Sequence, residues 1–170
     1  MSSVIATTAI RGRFLDIKNT VAQARDIHDQ VRYVEDGLLI TQHGKIHWFG
    51  PWEEGQAYIP AGVSVQHYPD QLIIPGFIDT HIHFPQTEMV GAYGTQLLEW
   101  LNTYTFPTEM QFADKSYADK IAAFFVQELL KNGTTTALVF CTVHPESVDA
   151  LFEAAEQHQM RLIAGKVLMD

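Results

Sequence analysis

Residues 72–83 have the sequence LIIPGFIDTHIH, an apolar run that ends in two histidines separated by one residue. Because side chains at positions i and i+2 of a β-strand point to the same face, a strand here places Asp79, His81 and His83 together. Imidazoles about 6–7 Å apart along a strand can converge on one metal ion, with each nitrogen about 2.0–2.1 Å from it. Since a catalytic zinc takes three or more protein ligands, the stretch predicts half of a metal site.

Two alternatives stay open for this stretch. The histidines could be surface residues on an edge strand, although the apolar run before them and the loop after them favour metal binding. Asp79 lies on the same face but deeper, so we expect it to orient a neighbouring group rather than to ligate the metal directly.

Composition excludes several classes of protein. The formal net charge of -9, from 11 basic and 20 acidic residues, disfavours a nucleic-acid partner. No apolar run approaches the roughly 18 residues of a membrane span, and the N-terminus does not resemble a signal peptide. The single cysteine, Cys141, cannot form an internal disulfide, which favours a reducing, cytoplasmic location. It also rules out the zinc deaminase signature that contains a Pro-Cys-x-x-Cys pair.

Residues 1–70 predict a small β-rich domain. Two apolar segments flank His43-Gly44, which is typical of a hairpin with a two-residue turn. Pro69-Asp70 predicts a turn into the next segment, and we place the domain boundary there.

Residues 71–170 alternate between strands and helices. After the strand that ends at His83 and a long loop, a short helix is predicted at residues 95–101, and Pro107 is expected to break the helical pattern. The remaining predicted elements are an amphipathic helix at residues 116–131 (apolar face Ile121, Phe124, Phe125 and Leu129), a strand at 134–141, a helix from Pro145 (apolar face Val148, Leu151, Phe152 and Ala155) and a strand at 161–168. This order predicts an α/β fold with a parallel sheet.

A doubly wound sheet and a (β/α)₈ barrel both contain such units. The two histidines at the carboxyl end of the first strand favour the barrel, where functional residues occupy that end. A barrel takes about 250 residues, so we expect the chain to be the N-terminal portion of a longer enzyme. A complete small α/β domain is the alternative.

Residues 75–83 resemble the first-strand motif of the amidohydrolase superfamily, metal-dependent hydrolases built on a (β/α)₈ TIM barrel with a β-rich side domain. Further segments resemble the guanine deaminase branch of that superfamily: HFPQ at residues 83–86, LLEWL at 97–101, YTFPTE at 104–109, NGTTT at 132–136 and GKVLMD at 165–170. The resemblance extends over nearly the whole chain from residue 36 onwards.

This resemblance implies hydrolytic deamination of guanine to xanthine and ammonia, with one zinc per subunit. It implies that His81 and His83 are metal ligands, that Gln86 binds the purine, and that Leu98 and Trp100 help to form the pocket wall. The other metal ligands and the proton shuttle are expected beyond residue 170, so we expect the isolated chain to be inactive. A homodimer is also implied.

The remaining polar candidates have structural interpretations. We expect His28, His43, His47, His67 and His158 to be non-catalytic. His144 is expected to cap a helix, Cys141 to be a buried apolar residue, and Glu99 and Glu109 to be capping or solvated residues rather than pocket carboxylates. Two rival functions remain: an amidohydrolase acting on another amino-heterocycle, triazine or cyclic amide, and an inactive α/β binding module.

Overall fold

The structure, a computed structural model, describes residues 7–20, 23–94 and 96–169. The chain divides into two compact units, Met1–Pro75 and Gly76–Asp170. The division lies five residues beyond the boundary expected from Pro69-Asp70. Within the described residues, no helix has the length and apolar character needed to cross a membrane.

The first unit is built on a four-stranded sheet with the order β3-β2-β1-β4. Its strands are β1 (Thr7–Ile17), β2 (Val31–Gln42), β3 (Lys45–Pro51) and β4 (Val65–Ile73), and a short helix, α1 (Trp52–Gly55), follows β3. The predicted hairpin is confirmed, because β2 and β3 pair antiparallel around His43 and Gly44. Both turn residues have positive φ, 52° and 70°, which gives the turn a twist that matches the strands.

The turn expected at Pro69-Asp70 is instead a bulge inside β4. Tyr68 pairs with Gly12 and Leu72 pairs with Arg13, so the intervening residues stand outside the ladder with β1. Proline has no N–H to donate to a ladder, and a bulge is one of the places where a strand accommodates it. The strand therefore continues to Ile73.

The second unit contains a three-stranded parallel sheet with the order β5-β6-β7. Its strands are β5 (Phe77–His83), β6 (Thr134–Phe140) and β7 (Arg161–Gly165), joined through α2 (Leu97–Trp100), α3 (Phe106–Met110), α4 (Lys115–Lys131) and α5 (Pro145–Gln157). The predicted alternation of strands and helices is confirmed. Asp114 caps α4, accepting hydrogen bonds from the backbone N–H groups of Ser116 (2.8 Å) and Tyr117 (3.4 Å).

One face of this parallel sheet packs against α4 and α5. Ala137 and Val139 of β6 are buried in the same core as Val126 of α4 and Leu151 of α5. On the other face, Leu138 and Ile163 pair in register on neighbouring strands and are 36% and 60% exposed. The sheet therefore has one covered face and one open face.

Two predictions about the helical faces were wrong. Phe124 of α4 is 54% exposed and Phe152 of α5 is 43% exposed, although each belongs to the apolar pattern of its helix. Their neighbours Phe125 and Leu151 are buried in the core. The buried face of each helix runs through Ala122 and Val126 in α4 and through Ala150 and Ala154 in α5, which leaves Phe124 and Phe152 at its margin.

Pro107 does not break the helical path. Phe106, which precedes it, has helical dihedrals of -63° and -41°, and a π-helical turn, Leu101–Thr105, leads from α2 into α3. Pro107 lies in the first turn of α3, directly after the π-helical turn. The predicted short helix begins at residue 97 in the structure, and Thr95 lies outside the described residues.

Candidate metal half-site and neighbouring pocket

His81 and His83 lie at the carboxyl end of β5, an edge strand of the parallel sheet. Their ring centroids are 5.3 Å apart with an interplanar angle of 55°. Both rings contact Phe140 at the end of β6, with centroid distances of 4.7 Å and 4.8 Å. The aromatic contact holds the two imidazoles together on one side of the strand end, as the one-residue spacing predicts.

Asp79 contacts the backbone of the histidine pair rather than an imidazole. Its Oδ1 accepts a hydrogen bond of 2.9 Å from the backbone N–H of His81. Burial, and then the neighbouring His81, lower the pKa of His83, which favours the neutral imidazole that metals bind. The Asp79 side chain therefore restrains the backbone at the end of β5.

In the three described ranges, no group of three or more His, Cys, Asp and Glu side chains is arranged to hold a metal. The two imidazoles nevertheless fit a zinc ion chemically, since nitrogen ligands suit zinc and two rings on one face can share it. Two imidazoles are fewer than the three protein ligands that a catalytic zinc site takes.

Gln86 follows the histidine pair in a 3-10 turn, Phe84–Met89. Phe84 and Pro85 are buried and anchor this turn, while the Gln86 side chain lines a groove of about 730 Å³. Trp100 lines the same groove, and its indole Nε1 donates a hydrogen bond of 3.0 Å to the backbone oxygen of Ala92. Leu98 is 73% exposed and is not among the residues that line the groove.

The groove reaches towards the covered side of the sheet. Ile82, Phe124 and Phe125 form part of its wall, and Ile82 and Phe125 belong to the core beneath α4. The imidazole rings contact Phe140, which lies on the same face as Leu138 because strand side chains alternate. His81 and His83 also line this groove, so the histidine pair lies where the groove meets the carboxyl edge of the sheet.

Glu109 and His144 belong to a second cavity, of about 280 Å³, at the carboxyl edge of the sheet. Burial raises the pKa of Glu109, and a hydrogen bond with the Gln86 side chain partly offsets that effect. The interpretation of Glu109 as a capping or solvated residue missed this contact. Its position between Phe106 and Met110 in an apolar segment was the available signal for it.

His144 occupies the residue before α5, but its side chain makes no capping hydrogen bond. Its Nε2 is fully buried and has no hydrogen-bond partner. The predicted side-chain cap is therefore wrong. Proline at the first helical position has no N–H, and the Ser147 N–H bonds instead to the backbone oxygen of His144.

Cys141 is a buried, free cysteine with 1% exposure, as predicted. Burial raises the pKa of its thiol to about 11, so the nucleophilic thiolate is disfavoured at neutral pH. The Cys141 side chain therefore packs in the hydrophobic core of the second unit.

A parallel sheet with histidines at the carboxyl end of its first strand is typical of the first βα units of a (β/α)₈ barrel. Residues 72–170 match the model of the amidohydrolase family, and the chain belongs to that family. Guanine deaminase of Escherichia coli (strain K12) is 57% identical over 170 residues, which are 100% of this chain and 39% of that protein. Its solved structure superposes with a TM-score of 0.92 at 58% identity, covering 96% of this chain and 38% of the other.

Two further solved structures are similar. Guanine deaminase from C. acetobutylicum with bound guanine has a TM-score of 0.79 at 28% identity, covering 97% of this chain and 37% of the other. A zinc-bound adenosine deaminase from Xanthomonas campestris has a TM-score of 0.72 at 19% identity, covering 92% and 33%, a likeness of fold alone. The chain thus spans less than two fifths of the length of these relatives.

Proposed function

We propose that the protein containing this chain removes ammonia hydrolytically from guanine to give xanthine, using one zinc ion per subunit. The observation that carries the proposal is the pair His81 and His83 at the carboxyl end of an edge strand in an amidohydrolase fold. The substrate assignment is supported by the 57% identity to the guanine deaminase of Escherichia coli.

The chain's own residues have separate tasks in this reaction. His81 and His83 would hold the zinc ion through imidazole nitrogens, and the Asp79 carboxylate accepts the backbone N–H of His81, which helps to orient that residue. When bound, the ion makes a water molecule acidic enough to act as a nucleophile at neutral pH. The Gln86 amide offers its oxygen and the N–H that does not bond to Glu109 to the edge of a planar base, and Trp100 contributes an apolar wall.

The test is a substrate profile of the full-length protein with its zinc content measured in parallel. We expect stoichiometric zinc and xanthine formation from guanine with a kcat/KM far above that for adenine, triazines or cyclic amides. A preference for one of those heterocycles would establish a different amidohydrolase. A protein without zinc and without hydrolase activity would instead favour the binding-module alternative.

The proposed assembly follows from the family resemblance, and the proposed location follows from the single cysteine. We propose that the full-length protein is a cytoplasmic homodimer. Light scattering coupled to size exclusion, together with fractionation of cells producing the native protein, tests both statements. A monomeric mass, or recovery outside the cytoplasmic fraction, contradicts the corresponding statement without affecting the chemistry.

A further inference from the structure

The 3-10 turn that carries Gln86, Phe84–Met89, is anchored at its start in the core of the second unit. The Phe84 ring is fully buried and contacts the Phe112 ring edge-on, at a centroid distance of 5.0 Å. Within the turn, Thr87 Oγ1 donates a hydrogen bond of 2.6 Å to the backbone oxygen of Phe84. The first half of the turn is therefore fixed by packing and by an internal hydrogen bond.

Tyr117, in the first turn of α4, is linked to both ends of this 3-10 turn. Its hydroxyl donates a hydrogen bond of 2.6 Å to Glu88 Oε2, and its ring contacts Phe112 edge-on at a centroid distance of 5.1 Å. Burial, and then the hydrogen bond and charge of Glu88, raise the pKa of Tyr117 to about 12, so the phenol stays protonated and remains a donor at neutral pH. Hydrogen bonds to an ionised carboxylate are stronger than those between neutral groups.

These contacts close into a ring of side chains, which we call the turn clamp, with the members Phe84, Phe112, Tyr117 and Glu88. His83 immediately precedes the clamped segment, and Gln86 lies inside it. The side chains of His83 and Gln86 both line the groove of about 730 Å³. Because neither end of the turn can move without breaking one of these contacts, the clamp restrains Gln86 relative to the histidine pair.

We propose that Tyr117 and Glu88 are positioning residues that hold the Gln86 amide in the direction in which it binds guanine. This inference rests on the proposed deamination of guanine. Neither side chain is among those that line the groove, so both act through the turn and not by contact with the base. Asp114 caps α4 and thereby supports the residue that donates to Glu88. Holding a binding group in place before the ligand arrives lowers the cost of ordering it on binding.

Variants of the full-length protein test the assignment. Tyr117→Phe removes the hydroxyl and keeps the ring that contacts Phe112. It is expected to raise KM for guanine about 3- to 10-fold, with kcat within about twofold and zinc content unchanged. Glu88→Ala should have the same effect, whereas Glu88→Gln, whose amide oxygen still accepts the phenol O–H, should keep KM within about twofold of the wild type. The double variant Tyr117→Phe/Glu88→Ala should be no worse than either single variant, because both remove the same bond.

Tyr68→Phe is the matched control, because it removes a hydroxyl that donates to Gln66 Oε1 in the first unit. It should change neither KM nor kcat. Loss of zinc together with a fall in kcat in Tyr117→Phe would show that the tyrosine only stabilises the fold, and this overturns the proposal. A Glu88→Gln variant as impaired as Glu88→Ala would show that the hydrogen bond is not the cause, with the same consequence.

The outcomes separate this inference from the proposed function. If the wild type forms xanthine but Tyr117→Phe leaves KM unchanged, the positioning role is overturned and the proposed function stands. If the wild type forms no xanthine, guanine is not consumed, and its Kd is measured by equilibrium dialysis against the same proteins. Weaker binding by Tyr117→Phe and Glu88→Ala, but not by Glu88→Gln, then refutes the reaction and supports the positioning role. Equal binding by all of them, or no binding, overturns both.

Discussion

At the scale of single residues, the histidine pair is the clearest case of sequence determining chemistry. One intervening residue in a strand is enough to bring two imidazoles to a centroid distance of 5.3 Å. Phe140 then contacts both rings, a constraint that comes from the neighbouring strand.

We predict that His83→Ala in the full-length protein removes zinc and lowers the rate of xanthine formation by at least about 100-fold, because even changes to groups that only support metal ligands cost 10- to 100-fold. Metal analysis of the purified variant and an absorbance assay check this. His67→Ala, at an exposed histidine of β4, should keep both zinc and activity. Stoichiometric zinc in the His83 variant would show that the ligand assignment is wrong.

Gln86→Ala should act on binding rather than on metal content. Gln86 lies three residues after His83 and, in the proposed function, hydrogen-bonds to the base, so its loss should weaken guanine binding and leave the imidazoles unchanged. We expect KM for guanine to rise about tenfold with kcat within about threefold. Gln127→Ala, exposed on α4, is the control, and a Gln86 variant that loses zinc would contradict the separation of roles.

At the scale of elements, α5 shows how one helix divides adjacent apolar residues between core and surface. Leu151 is fully buried, whereas Phe152 is 43% exposed. Leu151→Ala should therefore lower the free energy of unfolding by about 2–5 kcal/mol, through lost burial and the cavity it leaves. Phe152→Ala should cost less than about 1 kcal/mol. Urea denaturation of the full-length variants measures both, and equal losses would contradict the burial pattern.

The element scale also shows what the sequence could and could not predict. The order of strands and helices after residue 76 and the hairpin around His43-Gly44 follow from local periodicity and turn chemistry, and both were predicted. The exposure of Phe124 and Phe152 could not be, because an apolar residue on a helix does not reveal which neighbouring layer is present. The helix break predicted at Pro107 was wrong for a related reason. The π-helical turn before Pro107 depends on the packing of a whole segment, which the local sequence does not show.

The contact between Gln86 and Glu109 could not be predicted from the sequence, for a different reason. The two residues are 23 positions apart along the chain, and their approach depends on the path of α3. The local pattern of apolar and polar residues does not indicate which distant segments of the chain come together. The free Nε2 of His144 is likewise a property of the fold, since a histidine before Pro145 has the sequence appearance of a helix cap.

At the scale of the whole molecule, catalysis requires more ligands than the described residues bring together. With two imidazoles and no cluster of three metal-binding groups in those residues, the 170-residue chain alone should form no xanthine from guanine. The assay uses zinc-supplemented protein at high concentration, with the full-length protein as the positive control. Measurable turnover by the isolated chain, retained after repurification, would contradict this prediction.

The open face of the parallel sheet leads to a second prediction about the isolated chain. Parallel sheets are normally covered on both faces, yet Leu138 and Ile163 leave one face of this sheet apolar and accessible. A contiguous apolar surface binds hydrophobic dyes and promotes association. We expect the 170-residue chain to enhance the fluorescence of such a dye, and Ile163→Ser to reduce that signal by about half or more. Ile46→Ser changes a residue that is 69% exposed on β3, in the other unit, and should leave the signal nearly unchanged. Equal dye binding by both variants would show that the signal does not come from the open face of the sheet.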